Sequence, residues 1–182
     1  MKDTVLNTLI TGCLNGNRSD QKELYKAFYG MAFNICQRYA GNRKDASEIV
    51  NQGFLNAFVS LKKYRKDMPF AVWLKNIMVN KAIDYYRKSF KLTLQDDLDV
   101  AEYLSSDELP ENQIRYEDLL NIIQTLPTIY RIVFNLYAIE AYSHNEISAK
   151  LRISPESSKS NLSKARRKLQ SKIFELDIKR TK

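Results

Sequence analysis

Apolar residues along this chain recur mostly at spacings of three and four, the mark of helices that bury one face. Residues 4–14 read as a short helix ending at Asn15-Gly16-Asn17. Ser19 or Asp20 can cap the next helix, because short side-chain oxygens accept from the free N–H groups of a first turn. That second helix sets Leu24, Phe28, Met31, Ile35 and Tyr39 on one face and stops at Gly41-Asn42. Asp45 opens a third helix with Ala46, Ile49, Val50, Phe54, Ala57, Phe58 and Leu61 inward. Lys62-Lys63-Tyr64-Arg65-Lys66-Asp67-Met68 breaks the period as a basic loop with one aromatic. Pro69 suits the first position of a fourth helix, where a missing N–H costs nothing. This helix, to about residue 88, is apolar nearly all round: Phe70, Val72, Trp73, Leu74, Ile77, Met78, Val79 and Ile83. Such a helix belongs at the centre of a bundle. Asn76, Asn80, Asp84 and Arg87 nevertheless run a polar seam along it.

The period is lost over residues 89–113, where acidic residues and Pro110 dominate, and resumes near Ile114. Leu119, Ile122, Ile123 and Leu126 make one amphipathic helix, stopped by Pro127; Ile129, Ile132, Val133, Leu136 and Tyr137 make the next. Ser143-His144-Asn145-Glu146 fits a capping box ahead of a short helix over residues 145–151. Ser154 then caps a last helix that begins at Pro155 and reaches about Leu176. Two helices joined by Arg152-Ile153-Ser154 form a helix-turn-helix. In the last helix Ser158, Leu162, Ala165 and Leu169 fall on the inward face. Glu156, Ser157, Lys159, Ser160, Asn161, Lys164, Arg166, Arg167 and Lys168 lie opposite, and residues 157–172 hold six basic side chains and no acidic one. Ser, Asn and Lys near the start of such a helix can reach base edges, and later Arg and Lys suit phosphates. The expected fold is all-α, an N-terminal helical bundle and a C-terminal helix-turn-helix domain joined by an acidic linker.

Charge sharpens this division. Residues 1–88 carry 15 basic and 7 acidic side chains, net +8; residues 89–113 carry 1 and 7, net −6; residues 114–182 carry 13 and 7, net +6. Two basic modules around an acidic connector suit two contacts with one polyanion. Among 182 residues, 44% hydrophobic, Gly and Pro total nine, as in a helical protein with few tight turns. No apolar run approaches the ~18 residues of a membrane span, and the N-terminus is too polar for a secretory signal. The expectation is a protein without membrane insertion that stays in the cytoplasm. Cys13, Cys36 and the single histidine, His144, lack metal-ligand spacing, so neither a metal nor a cofactor is expected. No Cys/His pair, Gly-rich phosphate loop or metal-binding helix motif suggests an enzyme.

Residues 24–88 resemble the second conserved region of the sigma-70 family of RNA polymerase sigma factors. Asp45-Ala46-Ser47-Glu48-Ile49-Val50-Asn51-Gln52-Gly53-Phe54 is similar to that region's core-binding helix, and residues 70–88 to its promoter-melting helix. Residues 116–173 resemble the fourth region through Leu126-Pro127, Tyr130-Arg131, Val133-Phe134, Glu146-Ile147, Lys159-Ser160, Leu162 and Ala165-Arg166. The regions between these in larger sigma factors are absent, which points to the extracytoplasmic-function group. Gln52 stands where that family carries a carboxylate, Arg152 where it carries Gly, and Ser158 where it buries Val.

The resemblance implies a non-catalytic partner of core RNA polymerase, touching the β′ clamp helices and the β flap, with promoter DNA and an anti-sigma factor as further partners. Asp45, Glu48, Asn51, Gln52 and Phe54 would meet the polymerase. Tyr64, Arg65, Lys66, Lys75, Asn76, Asn80, Asp84 and Arg87 would handle the −10 element. Glu156, Ser157, Lys159, Ser160, Asn161, Lys164 and Arg166 would read the −35 element. The corresponding domains are residues 1–88, a linker at 89–113, and residues 114–182. A helix-turn-helix regulator working without polymerase, and a decoy for an anti-sigma factor, are the rival functions.

Overall fold

The computed structural model describes residues 3–90 and 116–180, and every regular element among them is helical. The chain divides into two compact units, residues 1–85 and 86–182. The first is built from α1 (Asp3–Leu14), α2 (Arg18–Tyr39), α3 (Arg43–Ser60) and α4 (Phe70–Phe90), with a 3-10 turn, Leu61–Lys63, after α3. Gly16 at φ 78° makes the reversal between α1 and α2, a conformation open to a residue without Cβ.

Two helix starts differ from the sequence expectation in the same way. Asn17, not Ser19 or Asp20, caps α2: its side-chain oxygen accepts from the Ser19 N–H at 2.9 Å. Asn42 caps α3 by accepting from the Asp45 N–H at 2.8 Å, so Asp45 lies within the first turn. By pattern alone, both asparagines fall at the end of the preceding helix. Nothing after them resists helical backbone, so each next helix begins at once, and Asp45 still favours the positive helix end.

Ala32, Cys36 and Tyr39 of α2, Ala46, Ile49 and Val50 of α3, and Leu74, Met78 and Ala82 of α4 are fully buried, so α4 contributes centrally to this core. A side chain at Gly53 would meet the Met78 thioether, so the glycine permits close approach of α3 and α4. Phe28, Met31 and Phe58 are half-buried rather than inside. Cys13 and Cys36 are free and buried. Burial pushes the Cys36 thiol up to about 12, which keeps it from the reactive thiolate form.

The second unit holds α5 (Tyr116–Thr125), α6 (Thr128–Phe134), a π turn (Asn135–Ile139), α7 (His144–Leu151) and α8 (Pro155–Arg180). Ile122, Ile123, Leu126 and Tyr130 pack with Ala165, Leu169 and Ile173 in one cluster. Leu119, expected inward, is 36% exposed. Buried Arg131 donates through Nη1 to the carbonyls of Gln124 (2.8 Å) and Leu126 (3.1 Å), placing a cation on the negative end of α5. The α8 helix outruns its expected end at Leu176, since no Gly or Pro interrupts it.

Residues 91–113 of the acidic segment lie outside the described residues; residues 89 and 90 continue α4 instead of opening a linker, again because no breaker separates them from it.

Candidate functional site

The helix-turn-helix is built by three local devices. Ser143 and Glu146 form the expected capping box: Glu146 Oε2 accepts from the Ser143 N–H and hydroxyl, each at 2.8 Å, and the Ser143 oxygen accepts from the Glu146 N–H at 3.3 Å. The backbone and then the hydroxyl bond from Ser143 hold the Glu146 carboxyl below its ordinary range. Arg152 then leaves α7 in the left-handed region, φ 58° and ψ 44°, with its N–H on the Ser148 carbonyl at 2.8 Å. Ser154 opens α8 by accepting from the Ser157 N–H at 3.0 Å.

On α8 the inward set is the expected one: Ser158, Leu162, Ala165 and Leu169 are buried. Glu156, Ser157, Lys159, Arg166, Arg167 and Lys168 are exposed, and Ser160, Asn161 and Lys164 half-exposed, so the residues named for the −35 element share an accessible face. The buried Ser158 hydroxyl lies 2.9 Å from His144 Nδ1. The His144 ring stacks on Tyr137, centroids 4.6 Å apart at 22°, and the Arg166 guanidinium lies over the Tyr137 ring at 5.8 Å. Burial, then Lys159, then Arg166 push the His144 pKa down, so the neutral imidazole prevails at neutral pH.

In the first unit, α3 turns Glu48, Asn51 and Gln52 to solvent, with Asp45 half-buried. Phe54 does not join them. It is 3% exposed, with its ring 4.5 Å from that of Tyr25, so it packs the core. Its four-residue spacing from Val50 already put it on the inward face. Leu55 and Val59, 67% and 83% exposed, are the apolar side chains that α3 does show to solvent. Neighbouring helices hold Asp45, Glu48 and Asn51, and α3 itself holds Gln52. Tyr85 of α4 donates its hydroxyl to Asp45 Oδ1 at 3.2 Å, within 3.5 Å of Glu48 Oε2. Gln52 donates to Glu48 Oε1 at 3.1 Å, and the Tyr25 hydroxyl of α2 donates to Asn51 at 3.0 Å.

Of the residues named for the −10 element, Arg65, Lys66, Asn80 and Asp84 are exposed, and Lys75, Asn76 and Arg87 half-exposed. Tyr64 is half-buried, its ring 5.3 Å from both Phe70 and Trp73, and its hydroxyl donates to the Met68 carbonyl at 2.8 Å. Trp73 thus belongs to an aromatic cluster with Tyr64 and Phe70, and Arg65 of the loop pairs with Asp67 at 2.8 Å. The sequence reading missed Tyr25, Tyr85 and the His144–Ser158–Tyr137 group as members of these sites. The hydrogen-bonded partners of Tyr25, Tyr85 and His144 stand 14 to 40 residues away, and spacing signals reach only a few turns.

Among the described residues no cluster of His, Cys, Asp and Glu could hold a metal, and no helix is long and apolar enough to cross a membrane.

These features define a two-part helical protein with a DNA-binding helix-turn-helix. Residues 24–90 match the family model for sigma-70 region 2 and residues 116–169 that for sigma-70 region 4. The chain is 28% identical over 147 residues to the RNA polymerase sigma factor SigV of Bacillus subtilis (strain 168), covering 81% of this chain and 80% of the relative. It is also 28% identical over 171 residues to the ECF RNA polymerase sigma factor SigW of the same organism, covering 87% and 89%. The sigma factor RpoE, solved in complex with the anti-sigma factor NepR from Bartonella quintana, shares the fold at TM-score 0.51 and 17% identity, over 85% of this chain and 97% of that one. The chain belongs to the sigma-70 family of RNA polymerase sigma factors, in its extracytoplasmic-function (ECF) group.

Proposed function

We propose that this chain joins core RNA polymerase, reads the −35 and −10 elements of its promoters and helps open the DNA for transcription initiation. The observation that carries the reading is the exposed face of α8: six basic side chains without an acid between residues 157 and 172, opposite a buried face that seats the helix in a helix-turn-helix. Glu156, Ser157, Lys159, Ser160 and Asn161, in its first two turns, suit base edges and nearby phosphates, while Lys164 and Arg166 suit the backbone further along.

On α3 the surface offered to the polymerase clamp helices is Asp45, Glu48, Asn51 and Gln52, extended by Leu55 and Val59 in the place first given to Phe54. A polar row next to exposed apolar side chains is the composition of a protein interface. In this reading Lys75, Asn76, Asn80, Asp84 and Arg87 of α4, with Arg65 and Lys66 of the loop, meet the separated −10 strand. Holding a base out of its stack costs a few kcal/mol, which a basic loop over an aromatic cluster can offset. Tyr64 supports the loop's shape. The N-terminal part, to the end of α4, and residues 114–182 serve as the two reading domains, and the residues between them as their tether.

RpoE was crystallised with an anti-sigma factor, which supports a partner of that class here. The chain acts in the cytoplasm, where polymerase and DNA are, and the bond-making chemistry belongs to polymerase. The test is run-off transcription from a linear template with core polymerase and promoter DNA selected from a random pool. Promoter-specific transcripts are expected. Core binding without promoter opening would favour a decoy for an anti-sigma factor; duplex binding with no effect of polymerase would favour an independent regulator.

A further inference from the structure

The recognition helix carries a polar side chain where its burial calls for an apolar one. Ser158 is fully buried on the inward face of α8, between the exposed Ser157 and Lys159. A buried hydroxyl is costly unless paired, and its partner comes from outside the recognition helix, from His144 in the first turn of α7, at 2.9 Å. We propose that His144 is a positioning residue for −35 recognition, acting through the Ser158 hydroxyl to hold α8 at its DNA-reading rotation. The inference rests on the reading of α8 as the −35 reader.

His144 is itself held. Its ring lies on that of Tyr137, from the π turn, and Arg166 of α8 reaches over the Tyr137 ring. Three elements therefore converge on one imidazole. The charged groups that face it from α8 are Lys159 and Arg166, both cations, and they favour the neutral ring along with its burial. With its proton on Nε2, the neutral ring accepts the Ser158 O–H at Nδ1.

The tie has consequences for base reading because of where it sits. Successive residues of a helix point ~100° apart, so the rotation at which Ser158 is held also sets the directions of Lys159, Ser160 and Asn161. A hydrogen bond is directional where an apolar contact is not. Losing it leaves the apolar packing to seat the helix but loosens its rotation at the reading end, and the expected result is a changed preference among bases together with weaker binding.

The test uses holoenzyme assembled from core polymerase and the full chain, bound to duplexes randomised at the −35 positions. His144→Phe keeps a stacking ring and removes the ring nitrogen; Ser158→Ala removes the hydroxyl; His144→Asn restores a hydrogen-bonding atom near the Nδ1 position. His144→Phe and Ser158→Ala should each alter base preference and weaken the preferred duplex about 3–10-fold, the range of one hydrogen bond. The double variant should bind no worse than the weaker single one, and His144→Asn should keep the wild-type preference. Wild-type preference and affinity in His144→Phe would overturn the inference, as would additive losses or an Asn variant as defective as Phe. If His144→Phe lowers the melting temperature markedly, Ser158→Ala decides alone. A wild-type holoenzyme with no −35 preference would overturn the underlying reading and the inference with it.

Discussion

At Arg152 the backbone sits at φ 58° and ψ 44°, where a Cβ crowds the following carbonyl at a cost of about 1–2 kcal/mol. The sequence raised this cost by setting Arg where the family carries Gly, and the structure places the residue in that region of the map. Arg152→Gly should therefore stabilise the fold by about 0.5–1 kcal/mol, less than the full strain because glycine loses more chain entropy on folding; the midpoint of urea unfolding measures it. Ser158 had the opposite outcome. Its hydroxyl is paired with His144, so the penalty of a lone buried hydroxyl does not arise. His144 also makes stability depend on pH. Its folded pKa lies below the ordinary 6.5, so between the two values the unfolded chain takes a proton that the folded chain does not. Stability should be full above pH 6.5 and fall as the pH drops through it; melting temperatures at pH 7.5, 6.5 and 5.5 should show the fall, and His144→Asn should flatten it. Glu146, also held below its usual range, adds a further loss on acidification below about 4.5.

The helices themselves were largely legible, because their periods, caps and breakers are local. The Ser143–Glu146 box, Ser154 at the start of α8 and the inward set on that helix all appear as read. Less legible was the choice between neighbouring polar residues as caps. Asn17 and Asn42 each stand where one helix has just ended and another starts, and pattern cannot say which helix a side chain serves. The π turn after α6 had no signal in the periodicity either. It arises where the Asn135 side chain bonds back to the Arg131 carbonyl at 2.8 Å and the Glu140 N–H reaches the Asn135 carbonyl at 3.0 Å. The face of α8 yields a division of labour to test. Lys168→Ala should weaken binding across all sequences and lower the salt slope by about one, whereas Asn161→Ala should cost about 1–3 kcal/mol on the preferred site and relax selectivity there. Titrations at several salt concentrations, on preferred and scrambled duplexes, separate the two.

For the molecule as a whole, family matches over residues 24–90 and 116–169 cover two parts of one chain. If each part reads its own element, the elements must lie at a fixed distance and rotation on the duplex. Inserting about five base pairs between them, half of the ~10.5 base-pair repeat, should turn one element to the far side of the DNA. Run-off transcription from the lengthened promoter should drop to background. Restoring the phase with a further half-turn should recover less than the original spacing, since the stretch of chain joining the two parts has a finite length.

The sequence by itself determined the all-helical class, the division into two basic parts, the helix-turn-helix and the family. Each depends on periodicity, charge or motif, which are properties of neighbouring residues. Tertiary structure decided which side chains the candidate surfaces contain. It put Phe54 inside and Leu55 and Val59 outside, settled Tyr64 and Trp73 into one aromatic cluster, and brought Tyr85 to Asp45 and His144 to Ser158. Those choices depend on which helices meet and at what rotation, and packing between distant segments sets both.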